Sequence, residues 1–312
     1  MDKMEKFTKT FKDWNSLHKW YMRLADSKQW VYRGQPDEKP LETALERAIV
    51  RFADTHHEKD FHTILSQGLN RGAKFYNVPR IEQGLLRLFK RRYYHYSSYN
   101  PAEDDCLEWL ALMRHYGAPV RLLDWTYSFY VALYFALEKG YIPKDDGGQP
   151  TKSTVWLCNA TWLDQEVKLS DCETNCISYE KADKNLAERK ACFNKLFFHL
   201  DPKPMVYSFS PGRLNERLVI QQGTFLCPAD VSKPFQDNLK PLLACRDAQQ
   251  NFYRLKIDFS AKQRNDVLRH LYRMNMHRAT LFPGLQGFAE SLKTLLVFPE
   301  ILIPEENPKK SK

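Results

Sequence analysis

"HYGAPVRLLDWTYSFYVALYFALE", residues 115–138, puts two charged side chains where a buried strand is expected. Val120, Leu122 and Leu123 have the hydrophobicity of a strand covered on both faces, yet Arg121 sits among them and Asp124 follows at once. Gly117 closes the helix before this run. Ser128 stands where an N-cap is needed for the helix after it, since its hydroxyl can accept from an orphan amide. The stretch therefore reads helix, buried strand, capped helix, with a charged pair at the strand's mouth. Arg121 and Asp124 are three residues apart, so on a regular strand they face opposite sides and take separate partners.

The pattern extends in both directions. Phe11, Trp14, Leu17, Trp20, Tyr21 and Leu24 recur at helical spacing over residues 11–28, and "WVYRG" follows as a strand. "LETALERAI" (41–49) and residues 58–92 read helical, with Leu65, Leu69, Phe75, Leu85, Leu88 and Phe89 available to a core. "NPAEDD" sets Asn100 before Pro101 and acidic residues in a first turn, a start signal for the helix "CLEWLALMRHYG". A polar loop at 143–152 precedes the strand "STVWLCNA" (153–160), and a polar, cysteine-bearing helical insertion spans about 161–202. Three strand-like runs come next, "MVYSFSP", "RLVIQQGTFLCP" and "FYRLKIDF". Residues 260–297 read helical with a break at "TLFPGLQG", and 298–312 form a polar tail. The chain shows no internal repeat and no Pro/Ser linker, which favours one α+β domain over 25–297 with helical elaborations, preceded by an N-terminal helix over 1–24.

Composition bounds the function. The 312 residues are 43% hydrophobic, 13% aromatic and 27% charged, a globular balance able to fill a sizeable core. No run approaches the length of a membrane span, and "MDKMEKFTKTFKDW" lacks the apolar core of a signal peptide, so a cytoplasmic protein without a membrane partner is expected. Seven scattered cysteines have no disulfide-framework spacing, and the Cys172/Cys176 pair lacks a second pair, so no metal site is expected. His56, His57 and His62 do not form a matched pair on one helical face. A net charge of +9 favours an anionic partner, RNA or DNA among them. In "LFKRRYYHYSSYN", Lys90, Arg91 and Arg92 with Tyr93 and Tyr94 interleave cations for phosphates with rings for stacking, the needs of single-stranded nucleic acid. Half-buried packing of those tyrosines is the alternative. Phosphate-binding glycine loops, GxSxG, HExxH and EF-hand patterns are absent.

Three strand-associated clusters stand out: "VYRGQ" at 31–35, "RLLDWT" at 121–126 and "NERLVIQQGTF" at 215–225. Together with "LETALERA", the long central stretch and "ATLFPGLQGFAESL", they resemble, in order, the successive motifs of FRG-domain proteins, whose signature is aromatic-Arg-Gly. More distantly, the clusters are similar to the strands of mono-ADP-ribosyltransferases of the Arg-Ser-Glu type. That resemblance implies a central mixed or antiparallel sheet like a transferase core. It further implies NAD as substrate, transfer of ADP-ribose to a macromolecule such as nucleic acid, and a bacterial toxin or phage-defence role with an antitoxin as a possible partner. It also locates a departure: Arg217 occupies the place of the transferase glutamate, with Glu216 one residue early. The alternative is a nucleotide or nucleic-acid binding module without chemistry.

Breaking the nicotinamide–ribose bond develops positive charge on the sugar, so such a site needs a cation for the pyrophosphate, a ring for the nicotinamide and an anion or polar group beside the ribose. The resemblance implies catalytic roles for Arg33, Asp124, Glu216 and Gln222. It implies ligand contacts from Tyr32, Arg33, Gly34, His115, Tyr116, Arg121, Trp125, Thr126, Arg217 and Gln221. Structural alternatives stay open for several of them. Arg33 can pair with Asp124, His115 can complement a helix C-terminus, Trp125 can be core, and Gln221 and Gln222 can satisfy turn amides.

Overall fold

The computed structural model describes residues 4–24, 28–53, 77–97, 99–139, 152–170, 193–194, 197–198, 202–211 and 215–296. The expectations for the histidine group, for the helix start before residue 77, for Cys172 and Cys176, for most of the insertion and for the tail fall outside these residues.

Among the described residues seven strands form one mixed sheet: β1 Thr8–Phe11, β2 Trp30–Gln35, β3 Leu123–Thr126, β4 Ser153–Asn159, β5 Val206–Phe209, β6 Gly223–Pro228 and β7 Phe252–Ile257, in the order β1-β7-β4-β2-β3-β6-β5. The β1–β7 pair is parallel and every other pair antiparallel. Twelve α-helices accompany it among the described residues: α1 Trp14–Tyr21, α2 Ala44–Ala53, α3 Val78–Tyr93, α4 Cys106–His115, α5 Phe129–Glu138, α6 Ala160–Ser170, α7 Glu216–Ile220, α8 Phe235–Leu243, α9 Ala248–Asn251, α10 Ala261–Arg273, α11 Arg278–Leu281 and α12 Leu285–Leu295.

Strand alternation sorts the core into two layers. On one face Val31, Leu123, Trp125, Trp156 and Phe252 pack with residues of α3, α4 and α8. On the other, Trp30, Tyr32, Val155, Leu157, Leu255 and Ile257 meet α1, α5 and α10. Strand β4 is buried at every position, as a strand with helices on both faces requires.

Several boundaries differ from the sequence reading. Phe11 belongs to the edge strand β1, and the first α-helix starts only at Trp14, capped by the Asp13 carboxylate accepting from Ser16 N at 2.8 Å. The N-terminal residues are thus part of the sheet. The cap of α4 is Asp105 and not Asn100. The strand in "APVRLLDW" is shorter than expected, starting at Leu123. The largest correction concerns 215–222. "ERLV", read as strand, is the short helix α7, capped by Asn215, and only at Gly223 does β6 begin. Five residues, two charged and then three apolar, are too few to set a period, and the Asn cap decides for the helix.

The opening anomaly resolves into two unrelated charges. Arg121 is 1% exposed and paired with Glu82 of α3, itself fully buried. Its Nε donates to Glu82 Oε2 at 2.8 Å, its Nη1 donates to the Ala229 carbonyl at 3.1 Å, and its own backbone N–H donates to Glu82 Oε1 at 3.2 Å. The aromatic rings of Phe197 and Phe198 cover its guanidinium. Arg121 therefore ties α3 to the end of β6 and makes no contact with a ligand cleft, which corrects its assignment as a ligand residue.

Candidate functional site

The sheet is complete between β2 and β4, where six residue pairs run from Trp30↔Asn159 to Gln35↔Thr154. Between β2 and β3 it holds one pair, Tyr32↔Thr126. Past that point the two strands separate, and a cleft of about 520 Å³ opens at the split. Arg33 bridges the gap: its Nη1 donates to the Asp124 carbonyl at 2.7 Å, in place of a main-chain ladder bond. Gly34 allows the strand to run against α5, because a Cβ there would stand 1.8 Å from the Ala132 carbonyl oxygen. The aromatic-Arg-Gly run thus has a role at each position. Tyr32 packs edge-on against Phe129, Arg33 lines the cleft, and Gly34 makes room for the helix.

Four further segments close the cleft. The loop after β2 and the start of α2 bring Pro36, Asp37, Lys39, Glu42 and Arg47, and the end of α5 brings Phe135, Glu138 and Lys139. Arg217 and Gln221 come from α7 and its C-cap, and Arg278 and Phe282 from α11 and its end. Gln221 is fixed on two sides: Thr126 Oγ1 donates to its carbonyl at 2.6 Å, and its Nε2 donates to the Leu281 carbonyl at 2.8 Å. A smaller recess of about 30 Å³, lined by His115, Asn215 and Arg217 among others, shares Asp124, Arg114 and Gln221 with the main cleft.

Among the described residues seven cationic side chains and four carboxylates line the cleft. The Asp124 carboxylate is the focus. Arg114 binds its Oδ2 through both Nε, at 2.9 Å, and Nη2, while Oδ1 has no hydrogen bond within the described residues. Burial works to raise its pKa, but Arg114, with Arg33 and Arg217 behind it, holds it below the ordinary carboxylate value. The same field acts on the cations. Burial pushes Arg33 down to about 10, with Arg114 and Arg47 adding repulsion against the pull of Asp124, and its Nε is buried without a hydrogen-bond partner. Arg217 is also lowered, by burial and by repulsion from Arg114 and Arg278. Burial and Arg217 together lower His115. Arg217 and Arg278 each stand 4.4 Å from the centre of the Phe282 ring, and Arg278 is anchored by Glu138 at 2.7 Å and by Glu290 at 2.6 Å.

Of the residues singled out in the sequence, Tyr32, Arg33, Gly34, Asp124, Trp125, Thr126, Arg217 and Gln221 converge here, and His115 lines the adjoining recess. Trp125 is 3% exposed, so it forms floor and not a stacking platform. Glu216 is exposed at the first position of α7 and does not line the cleft. Gln222 is exposed in a left-handed turn, φ 48°, where it closes α7. Tyr116 is 64% exposed beside Tyr93 and lines neither cavity. Lys90, Arg91, Arg92, Tyr93 and Tyr94 lie at the end of α3 away from the cleft lining, and Tyr93 is buried core. Sequence reasoning missed Arg114, Arg47, Arg278 and Phe282. The break at "TLFPGLQG" was the available signal for Phe282, whose neighbouring turn carries it to the cleft.

Comparison with known families matches residues 28–144 to the FRG domain. That segment includes Arg33, Gly34, Arg114 and Asp124, and stops before Arg217, Gln221, Arg278 and Phe282. No curated protein and no solved structure matches the chain. Among the described residues no helix is long and apolar enough to cross a membrane, and no group of three or more side chains is arranged to hold a metal ion.

Proposed function

We propose that the cleft at the β2–β3 split binds a pyrophosphate-bearing nucleotide, with NAD as the candidate ligand. One observation carries this reading: three guanidiniums, of Arg33, Arg114 and Arg217, act on the single carboxylate of Asp124. With seven cationic side chains against four carboxylates among the described lining residues, the cleft carries an excess of positive charge, and a ligand carrying two phosphate charges offsets most of it. The residues fit such a group in kind. Arg33 keeps an unused buried N–H, Phe282 and Phe135 supply aromatic lining, and the volume suits a ligand of nucleotide size.

A second step, transfer of ADP-ribose to a macromolecule in the manner of an ADP-ribosyltransferase, is favoured by the state of Asp124. Its carboxyl is held ionised and its Oδ1 is unused, which suits it to face the positive charge that develops on a ribose as nicotinamide departs. In that step the bonding pair of the C–N bond leaves with nicotinamide, and an acceptor oxygen or nitrogen forms the new bond to C1. The acceptor's proton passes to water. Asp124 remains an anion throughout, since a carboxylate with a depressed pKa is a poor base and a good counter-ion.

Thermal denaturation with and without NAD tests binding: the midpoint rises for the wild type, since a ligand at about a hundred times its Kd adds about 2.7 kcal/mol, and rises by about half as much or less for Arg33→Ala. Nicotinamide release in the presence of cellular RNA, DNA and protein tests transfer. Asp124→Asn is expected to abolish release while NAD still shifts the midpoint. Binding without release by the wild type would leave a nucleotide-binding module.

A further inference from the structure

Away from the cleft, helix α3 carries five cations, Arg80, Arg87, Lys90, Arg91 and Arg92, and one carboxylate, Glu82, which is buried against Arg121. Arg80, Arg87, Arg91 and Tyr94 fall on one side of the helix, at spacings of seven, four and three residues, and all four are exposed. The stripe runs for about 20 Å along the axis. None of Arg80, Arg87, Arg91 and Arg92 is paired with a carboxylate among the described residues. Beside the stripe lies an open groove of about 520 Å³ whose base includes Leu86 and Phe198 and whose rim includes Arg87, Lys90 and Arg91. Past the helix end the rings of Tyr94 and Tyr96 are 59% and 84% exposed, an uncommon cost for aromatic side chains.

Cations at a helix C-terminus complement the macrodipole, which accounts for Lys90, Arg91 and Arg92 alone. It does not account for Arg80 and Arg87 on the same face, for the apolar groove base or for two exposed tyrosines. We infer that this face of α3 is a docking surface for single-stranded nucleic acid, the phosphates lying along the arginine stripe and the bases against the groove and the tyrosine rings. A polyanion without bases has no use for the rings, and a duplex keeps its bases stacked away from them. The inference is independent of what the cleft binds.

Fluorescence anisotropy with a labelled single-stranded oligonucleotide of about 12 residues tests it, with the matching duplex and heparin as competitors. The single strand is expected to bind more tightly than the duplex. With about three phosphates neutralised, the log–log salt slope is expected near −2. The Arg87→Glu/Arg91→Glu variant should weaken binding at least tenfold and flatten that slope. The Tyr94→Ala/Tyr96→Ala variant should weaken binding on the order of tenfold with the slope unchanged. All four side chains are exposed, so melting curves should stay within a few degrees of the wild type, since a carboxylate near the helix C-terminus opposes the macrodipole only weakly, and Arg33→Ala in the cleft should bind the oligonucleotide normally. Absence of salt-dependent binding, or unaltered binding by the arginine variant, would overturn the inference. Heparin or duplex binding as tightly as the single strand, with no loss in the tyrosine variant, would assign the surface to polyanions at large and overturn it as well.

Discussion

Replacing Glu82 by Leu leaves the Arg121 guanidinium charged, 1% exposed and without its anion. A buried charge stripped of its partner costs about 3–5 kcal/mol, far more than the intact pair contributes over a well-packed apolar substitute. Replacing Arg121 by Met in the same background removes the stranded charge. What remain are the Ala229 carbonyl, which loses a donor at 3.1 Å, and the backbone N–H of position 121, which has already lost the Glu82 acceptor at 3.2 Å, each a cost of about 1–3 kcal/mol. The double variant is therefore expected to be more stable than Glu82→Leu alone, with a coupling energy of about 2 kcal/mol or more. Urea unfolding followed by circular dichroism measures all four corners of this cycle. In thermal melts the single variant should fall by roughly 10 °C, at about 2–4 °C per kcal/mol for a chain of this size class. Additive losses, or a Glu82→Leu variant within about 1 kcal/mol of the wild type, would refute the assignment of Arg121 as a buried tether.

Two other outcomes follow from the same structure. Gly34→Ala forces a methyl to within 1.8 Å of the Ala132 carbonyl oxygen, so the chain should lose about 3 kcal/mol or more, measured by the same unfolding assay, while Gly84→Ala, with open space around it, should not destabilise. Burial pushes the Glu46 carboxyl up to about 7 from an ordinary 4.5, against the hydrogen bonds it accepts from Thr43 and Phe235. A folded-state pKa above the unfolded one means that this group's contribution to stability is full below pH 4.5 and is lost as pH rises through 7, by up to about 3 kcal/mol. Glu46→Gln should flatten that part of the stability–pH curve.

Much of the sheet was legible in the sequence. Strands β2, β4, β5 and β7 follow from apolar runs bounded by turn residues, and the helix after "RLLDWT" follows from Ser128, whose hydroxyl accepts from Val131 N at 3.3 Å. The segment before β6 was not legible, because five residues are too short for a period to decide. The site was legible in part for a similar reason. Arg33, Asp124 and Arg217 stand in recognisable clusters, but the ion partner of Asp124 is Arg114, at the end of the preceding helix. Nothing in local spacing distinguishes it from His115 beside it, since the choice depends on how α4 docks against β3. Arg33 takes the Asp124 main-chain oxygen instead, because the strands have already parted where its side chain reaches. The same charged pair that marked the stretch therefore has two explanations. Arg121 belongs to the core, and Asp124 to the cleft.

Isothermal titration calorimetry of NAD into the wild type, Arg33→Ala and Arg217→Ala tests the nucleotide site most directly, with adenosine as the phosphate-free control. NAD should bind the wild type with an affinity that falls as salt rises. Each arginine variant should lose about 10- to 100-fold, the worth of a charge-assisted hydrogen bond, and adenosine should bind far more weakly. NAD binding that is undetectable, or equal across the three proteins and insensitive to salt, would contradict the assignment of the β2–β3 split as a pyrophosphate site.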